Sequence, residues 1–142
     1  MERTYIDYFK DEIRLLEDSG KEFDVSILYF PDIITLLCAL LDEDSVEKES
    51  RIMIHVALGY LLVPNDVLPE DVYGAYGYMD DMYLSCIILN NMRSKYSELM
   101  DRLWTNDTSL EKVLDLCTFR SEKFLEEKGL KEKLLKFCGL SD

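Results

Sequence analysis

The sequence predicts an all-α protein, a compact single-domain bundle of five or six helices with a structured Pro/Gly/Asp loop between the third and fourth helices. Three observations carry this prediction. Apolar residues recur at helical spacing along most of the chain, no segment of useful length alternates like a strand, and two of the three prolines share one short stretch. With 142 residues, 48% of them apolar, the chain can bury a core without disulfides or metal. We expect residues 1–142 to form one domain.

The first two predicted helices precede residue 42. The first ends near Gly20, and apolar residues line one of its faces at intervals of four, four and three positions. They are Tyr5, Phe9, Ile13 and Leu16. The second helix runs from Pro31 to Leu41, because proline suits a first turn in which its missing N–H would have no partner. Its residues are apolar nearly all round, which predicts a central, fully buried helix.

Capping boxes predict where the third and fifth helices begin. Asp44 lies three residues before Glu47, and the helix that follows should run to Val63, where Pro64 stops it. The segment Thr108–Glu111 has the same form and should open a helix that ends near Lys128, before a glycine.

The fourth predicted helix is the longest, from about Met79 to Trp104. Its apolar residues are spaced as in a helix that packs in a bundle: Met82, Cys86, Leu89, Met92, Tyr96, Leu99 and Leu103. A last short helix should run from Leu130 to Phe137 and end at Gly139.

The net charge of −13 argues against a nucleic-acid binder, because phosphate neutralisation by Lys and Arg supplies most of that affinity. Residues 1–50 carry five basic and fourteen acidic side chains. This acidic third predicts a face for a basic partner protein, or a surface that serves only solubility.

The four cysteines, at positions 38, 86, 117 and 138, have no zinc-ligand spacing and lie in apolar surroundings. They predict small buried side chains in a reducing compartment. The N-terminal residues lack the pattern of a secretory signal, and the longest apolar stretches are too short to cross a bilayer. We therefore expect a cytoplasmic protein without a membrane span.

One segment carries a motif, in which prolines, a glycine and aspartates of restricted spacing lie between two apolar helices. Its residues are Pro64, Asp66, Pro69, Asp71, Gly77, Asp80 and Asp81. In this pattern the chain resembles the YkvA-like family, a domain of unknown function, with the core at about residues 53–89. Glu70 departs from the family pattern as a one-residue insertion, and Gly74 stands where many members carry a third proline. The resemblance implies a helix-loop-helix core and no established chemistry.

The simplest role of these carboxylates is to organise the loop. Asp66 can cap the turn that Leu68 and Pro69 begin, and Asp80 and Asp81 suit the positively polarised start of the fourth helix. Adjacent helical residues point ~100° apart, so these two cannot both face one partner. We expect Asp81 to point inward and Asp80 to lie on the side of Tyr83.

The alternative hypothesis is a site for a divalent cation, Mg²⁺ or Ca²⁺, which prefers several carboxylate ligands. The candidate ligands are Asp66, Asp71, Asp80 and Asp81. Glu70 is an alternative to Asp71. The spacing matches no standard calcium loop. A bound metal would make hydrolysis of a phosphate ester conceivable.

Tyrosines cluster around the same loop, where they either close it over the core or form an interface with a partner. They are Tyr60, Tyr73, Tyr76, Tyr78 and Tyr83. His55, the single histidine, is expected in the core or at its boundary. No catalytic motif is present, so no catalytic residue is assigned and an enzyme is not the expected class.

Two hypotheses follow from the sequence. The preferred one is a small acidic cytoplasmic interaction module that binds a protein partner or a second copy of itself. The alternative is a carboxylate-based divalent-metal-binding domain, with hydrolytic activity as a further option.

Overall fold

The computed structural model describes residues 24–61 and 78–140, together with residues 7, 10, 11, 14, 15 and 18, each of which is α-helical. Across these residues a 3-10 helix (Val25–Tyr29) is followed by five α-helices. They are α1 (Phe30–Leu41), α2 (Lys48–Leu61), α3 (Met79–Leu103), α4 (Leu110–Glu127) and α5 (Lys131–Phe137). No strand occurs in the described part of the chain, so the predicted all-α class is confirmed.

Two predictions concern residues outside this range. The apolar face predicted for the first helix lies there, as does the predicted loop from Pro64 to Gly77.

The 3-10 helix and α1 begin as local chemistry dictates. The Asp24 carboxylate accepts hydrogen bonds from the Ser26 backbone N–H at 2.9 Å and from the Ser26 hydroxyl at 2.6 Å. The α1 helix carries Pro31 in its first turn, as predicted. The turn between α3 and α4 is tied to α1 because the Asn106 amide donates to Asp32 at 2.9 Å.

The capping box predicted at Asp44 is wrong. The α2 helix begins at Lys48, and the Glu47 backbone N–H, which the box would direct to Asp44, instead donates to the Tyr96 hydroxyl at 2.9 Å. A side chain from a distant helix therefore satisfies this N–H group. The sequence around the helix start carries no sign of that partner.

The central helix of the described fold is α3, because α1, α2 and α4 all pack against it. Its segment Met79–Cys86 is buried on every side. The prediction had given this place to the helix ending at Leu41, which has seven buried residues and five partly buried ones. The difference follows from packing, since α3 contacts α1, α2 and α4, the three other long helices of the described fold, along its length.

The α3 helix is kinked at Tyr96, whose φ of −119° and ψ of 24° are not helical. Two residues earlier, the Ser94 hydroxyl donates to the Asn91 carbonyl at 3.2 Å. Side-chain bonds of this kind compete with the backbone ladder and bend helices. The kink divides α3 into a mostly buried first part and a more exposed last part.

The two last helices begin and end close to the predicted positions. The N-cap of α4 is Ser109, whose hydroxyl accepts from the Lys112 N–H at 3.3 Å, so the cap lies one residue after the predicted Thr108. The chain leaves α4 at Gly129 and α5 at Gly139, with φ of 69° and 72°. Glycine adopts these angles readily, which confirms both predicted stops.

Three further predictions concern membrane-spanning helices, the cysteines and His55. None of the described helices combines the length and the hydropathy that crossing a membrane requires. All four cysteines are free thiols, of which Cys86 and Cys117 are buried and Cys38 and Cys138 are partly buried. His55 lies exposed on α2, so its predicted place in the core or at its boundary is wrong.

Candidate functional site

Two carboxylates are buried at the start of α3. Asp80 is 0% exposed and Asp81 is 1% exposed. The Tyr60 hydroxyl, from the last turn of α2, donates to Asp80 Oδ2 at 2.7 Å, and the Asp81 backbone N–H donates to Asp80 Oδ1 at 2.9 Å. The helix dipole also favours negative charge in a first turn. We call Tyr60, Asp80 and Asp81 the buried acidic site.

The burial of Asp80 differs from the sequence expectation, which placed only Asp81 inward. Neighbouring helical residues do point in different directions, but the segment Met79–Cys86 has protein around its whole circumference. Direction around the helix therefore does not decide exposure at this point.

A cysteine from the other end of the chain lies near the buried acidic site. The pKa of the Cys138 thiol is raised to about 11, first by burial and then by the negative charges of Asp80 and Asp81. Cys138 follows α5, more than fifty positions after Asp81 in the sequence. Sequence reasoning missed this neighbour because no spacing pattern links the two segments.

The described tyrosines of the predicted interface pack within the protein. Tyr60 and Tyr83 are 4% and 3% exposed. The Tyr83 hydroxyl donates to Glu122 at 3.0 Å, and the pKa of Tyr83 is raised to about 12 by burial and then by that bond and the Glu122 charge. The Tyr78 ring lies 6.3 Å from the Phe30 ring.

The remaining motif positions lie outside the described residues. They are Pro64, Asp66, Pro69, Asp71, Tyr73, Tyr76 and Gly77. Within the ranges that the structure does describe, no group of three or more His, Cys, Asp or Glu side chains is placed to hold a metal ion. The four-carboxylate hypothesis therefore depends on Asp66 and Asp71 joining the buried acidic site.

A second acidic region joins α1 to α2, and we call residues Asp42–Glu49 the acidic loop. Arg51, in the first turn of α2, organises it through the backbone. Its Nε donates to the Val46 carbonyl at 2.9 Å, its Nη1 to the Leu41 carbonyl at 2.6 Å, and its Nη2 to the Glu43 carbonyl. The guanidinium thus binds three carbonyl oxygens and leaves the carboxylates of the loop to the surface.

The acidic side chains of the loop point outward. Four of them are exposed and Glu43 is partly exposed. The exposed ones are Asp42, Asp44, Glu47 and Glu49. Sequence reasoning noticed the acidity of this third of the chain but missed Arg51. The only signal was a single arginine shortly after the acidic run.

The acidic loop is also fixed to α3. Besides the bond from Glu47 N–H to the Tyr96 hydroxyl, the Glu47 carboxylate forms an exposed ion pair with Lys95. The Lys95 ammonium lies 5.8 Å from the centre of the Tyr96 ring. The loop therefore packs against the helix kink.

The fold and the two acidic regions define an all-helical protein with one buried and one exposed set of carboxylates. Residues 50–85 match the family described as "Protein of unknown function (DUF1232)". This range contains most of α2 and the buried start of α3, and it overlaps the motif found in the sequence.

An archaeal relative extends the similarity over most of the chain. The chain is 34% identical over 121 residues to "Uncharacterized protein ORF9" of Methanothermobacter thermautotrophicus, which covers 84% of this chain and 81% of the relative. The chain belongs to the same family as that protein. No solved structure matches this chain.

Proposed function

We propose that the chain is a small acidic protein-interaction module that binds a basic partner through the acidic loop. The observation that carries the proposal is the way Arg51 holds the backbone of the loop by three carbonyl oxygens. A surface that is ordered before binding loses less conformational entropy when the partner arrives.

The charge distribution supports a basic partner. Residues 24–61 carry two basic and seven acidic side chains, and the chain as a whole carries −13. A field of this sign accelerates the approach of a positively charged protein and weakens as salt is added.

A charge-location experiment tests this proposal. The probe is a synthetic amphipathic helical peptide with arginine on its polar face and leucine on its apolar face, and calorimetry measures its affinity. Neutralising Asp42→Asn, Asp44→Asn and Glu49→Gln together should weaken binding by about tenfold, since each exposed pair contributes ~0.2–1 kcal/mol.

The control changes the net charge equally on another face of the protein. It combines Glu111→Gln, Asp115→Asn and Glu127→Gln, three exposed residues of α4. The proposal requires a clearly smaller loss with this control. Equal losses, or no binding to the unmodified chain, would overturn it.

The alternative interaction is a homodimer, and the salt dependence of association distinguishes it from binding to a basic partner. Two copies that each carry −13 repel one another, so added salt should favour a homodimer. Added salt should weaken binding to a basic partner instead. Sedimentation of the chain alone at low and high salt measures the first effect.

A divalent-metal site is the second candidate function, and the burial of both Asp80 and Asp81 is the observation that favours it. Buried carboxylates in proteins are hydrogen-bonded, paired or bound to metal. Such a site would need Asp66 and Asp71 as well. Thermal unfolding with EDTA and then with Mg²⁺, Ca²⁺ or Mn²⁺ tests it. An ion-dependent rise in melting temperature that Asp66→Asn and Asp80→Asn both abolish would establish the site, and a flat response would exclude it.

Two finer assignments accompany the main proposal. We propose that residues 53–89 are a YkvA-like core, which the overlap with the matched range 50–85 supports. We also propose a cytoplasmic location, which four free thiols support because reducing compartments keep cysteines unpaired.

A further inference from the structure

A cleft lies beside the acidic loop, between the start of α2 and the kink of α3. Its volume is about 270 Å³. Met53, Ile88 and Met92 line it with apolar atoms, and Ile88 and Met92 are 1% and 4% exposed. Glu47, Glu49 and Lys95 line it as well and are exposed. The buried floor of the cleft is therefore apolar and its exposed rim is charged, and Ser50, Asn91 and Ser94 add polar side chains to the lining.

The walls of the cleft are fixed relative to each other. The Glu47 backbone N–H donates to the Tyr96 hydroxyl at 2.9 Å, which joins the two walls across 49 positions of sequence. Arg51 holds the loop from the other side. The cleft is consequently part of the folded structure and does not depend on a partner to form.

The charges of the rim select the occupant. Glu47 and Lys95 form an ion pair, so their charges offset each other, and Glu49 adds a further negative charge nearby. A positively charged head group would be attracted to Glu49 and would compete with Lys95 for Glu47. An aliphatic stem suits the methionine-lined floor, because thioether side chains adapt to the shape of what they contact.

We propose that this cleft seats one arginine or lysine side chain of a basic partner, with its aliphatic stem on Met53 and Met92 and its charged head at Glu49 and Glu47. The assignment rests on the proposed function and specifies the contact through which the acidic surface recognises its partner. Lys95 then acts as an internal competitor for the same carboxylate.

Methionine-methyl NMR tests the contact site by site. The chain is labelled at its methionine methyl groups and titrated with the arginine/leucine peptide. The signals of Met53 and Met92 should shift, whereas those of the core residues Met79, Met82 and Met100, each 0% exposed, should stay in place. Single Met→Leu variants assign the signals.

Two single substitutions should act in opposite directions. Glu49→Gln should weaken peptide binding by about two- to fivefold, and Lys95→Gln should strengthen peptide binding by about two- to fivefold. Changes of this size are expected when one exposed ion pair is lost or gained. The matched controls Glu111→Gln and Lys112→Gln on α4 change the net charge by the same amounts and should have smaller effects.

The outcomes separate this inference from the proposed function. If neutralising the loop weakens peptide binding while the signals of Met53 and Met92 stay unshifted, the cleft assignment is overturned and the proposal that the acidic loop binds the partner stands. The assignment also falls if Lys95→Gln behaves like Lys112→Gln. If neutralising the loop has no effect beyond its control, both proposals fail.

Discussion

The two acidic regions of this protein both contain carboxylate side chains, but one region buries them and the other exposes them. At the start of α3, Asp80 and Asp81 are almost fully buried, and one carboxylate oxygen accepts a tyrosine hydroxyl. In the acidic loop, the carboxylates are exposed and an arginine binds the backbone instead. A buried carboxylate needs polar partners to offset lost hydration, whereas an exposed one keeps its water and remains available to a ligand.

The difference indicates which region builds the fold and which can recognise a partner. The buried acidic site links the end of α2 to the start of α3 through Tyr60. The acidic loop presents its charges at the surface and borders a cleft. Substitutions in the first region should therefore affect mainly stability, and charge substitutions in the second should affect mainly binding.

The largest stability effect is expected where the loop backbone is held. Arg51→Gln removes a guanidinium that binds three carbonyl oxygens, and it should lower the free energy of unfolding by about 2–4 kcal/mol, because hydrogen bonds to charged groups are worth more than neutral ones. Urea unfolding measures the loss. The exposed Arg102 on α3 provides a control, since Arg102→Gln should change stability by less than about 0.5 kcal/mol. A negligible effect of Arg51→Gln would mean that the loop does not depend on it.

Removal of one hydroxyl tests the buried acidic site. Tyr60→Phe removes the hydroxyl that donates to Asp80 Oδ2 at 2.7 Å, and it should destabilise the fold by about 1–3 kcal/mol. Tyr29→Phe is the matched control, because Tyr29 is only partly buried and its hydroxyl makes no hydrogen bond within the described residues. Similar stabilities of the two variants would contradict the structural role of the Tyr60 bond.

Asp24 is partly buried, between the two extremes, and it should make the stability of the fold depend on pH. Burial acts to raise its pKa, but the bonds from Ser26 and the charge of Arg120 outweigh it and hold the pKa below 3.8. A carboxyl with a lowered pKa stabilises the fold above its unfolded value, and this contribution is lost as the pH falls through the folded pKa. Asp24→Asn should therefore flatten the decrease in stability below pH 3.8. An unchanged pH profile in this variant would show that Asp24 does not contribute.

The smallest predicted effect is on thiol chemistry beside the buried acidic site. The charges of Asp80 and Asp81 contribute to the raised pKa of Cys138, although burial contributes more. Asp80→Asn should lower that pKa slightly and speed alkylation of Cys138 at alkaline pH, because the thiolate is the reactive form. Site-resolved mass spectrometry measures the rate. Cys38, whose pKa is raised by burial and by Asp42, serves as the internal control and should not change.

The sequence predicted those parts of the fold that depend on local chemistry. Proline at the start of α1 and glycines after α4 and α5 act through their own backbone preferences, so their positions could be recognised without a structure. The helix class followed from apolar spacing, which reports the buried face of each helix.

The rest depends on contacts between distant segments. The Glu47 N–H group finds its acceptor on Tyr96, and Cys138 comes close to Asp80 only after α5 has packed. The burial of Asp80 likewise follows from the protein around α3 and not from its position on the helix. No local pattern encodes these arrangements, which is why the cleft beside the acidic loop was not predicted.

The most direct test measures stability and binding together in one pair of variants. Asp80→Ala should lower the free energy of unfolding by about 1–3 kcal/mol, because it removes the buried hydrogen bond from the Tyr60 hydroxyl, and should not change peptide affinity at a temperature where the variant is folded. The combined neutralisation of Asp42, Asp44 and Glu49 should weaken peptide binding by about tenfold and change the free energy of unfolding by less than about 0.5 kcal/mol. The opposite pattern, with Asp80→Ala abolishing binding in the folded protein and the loop variant binding normally, would contradict the account.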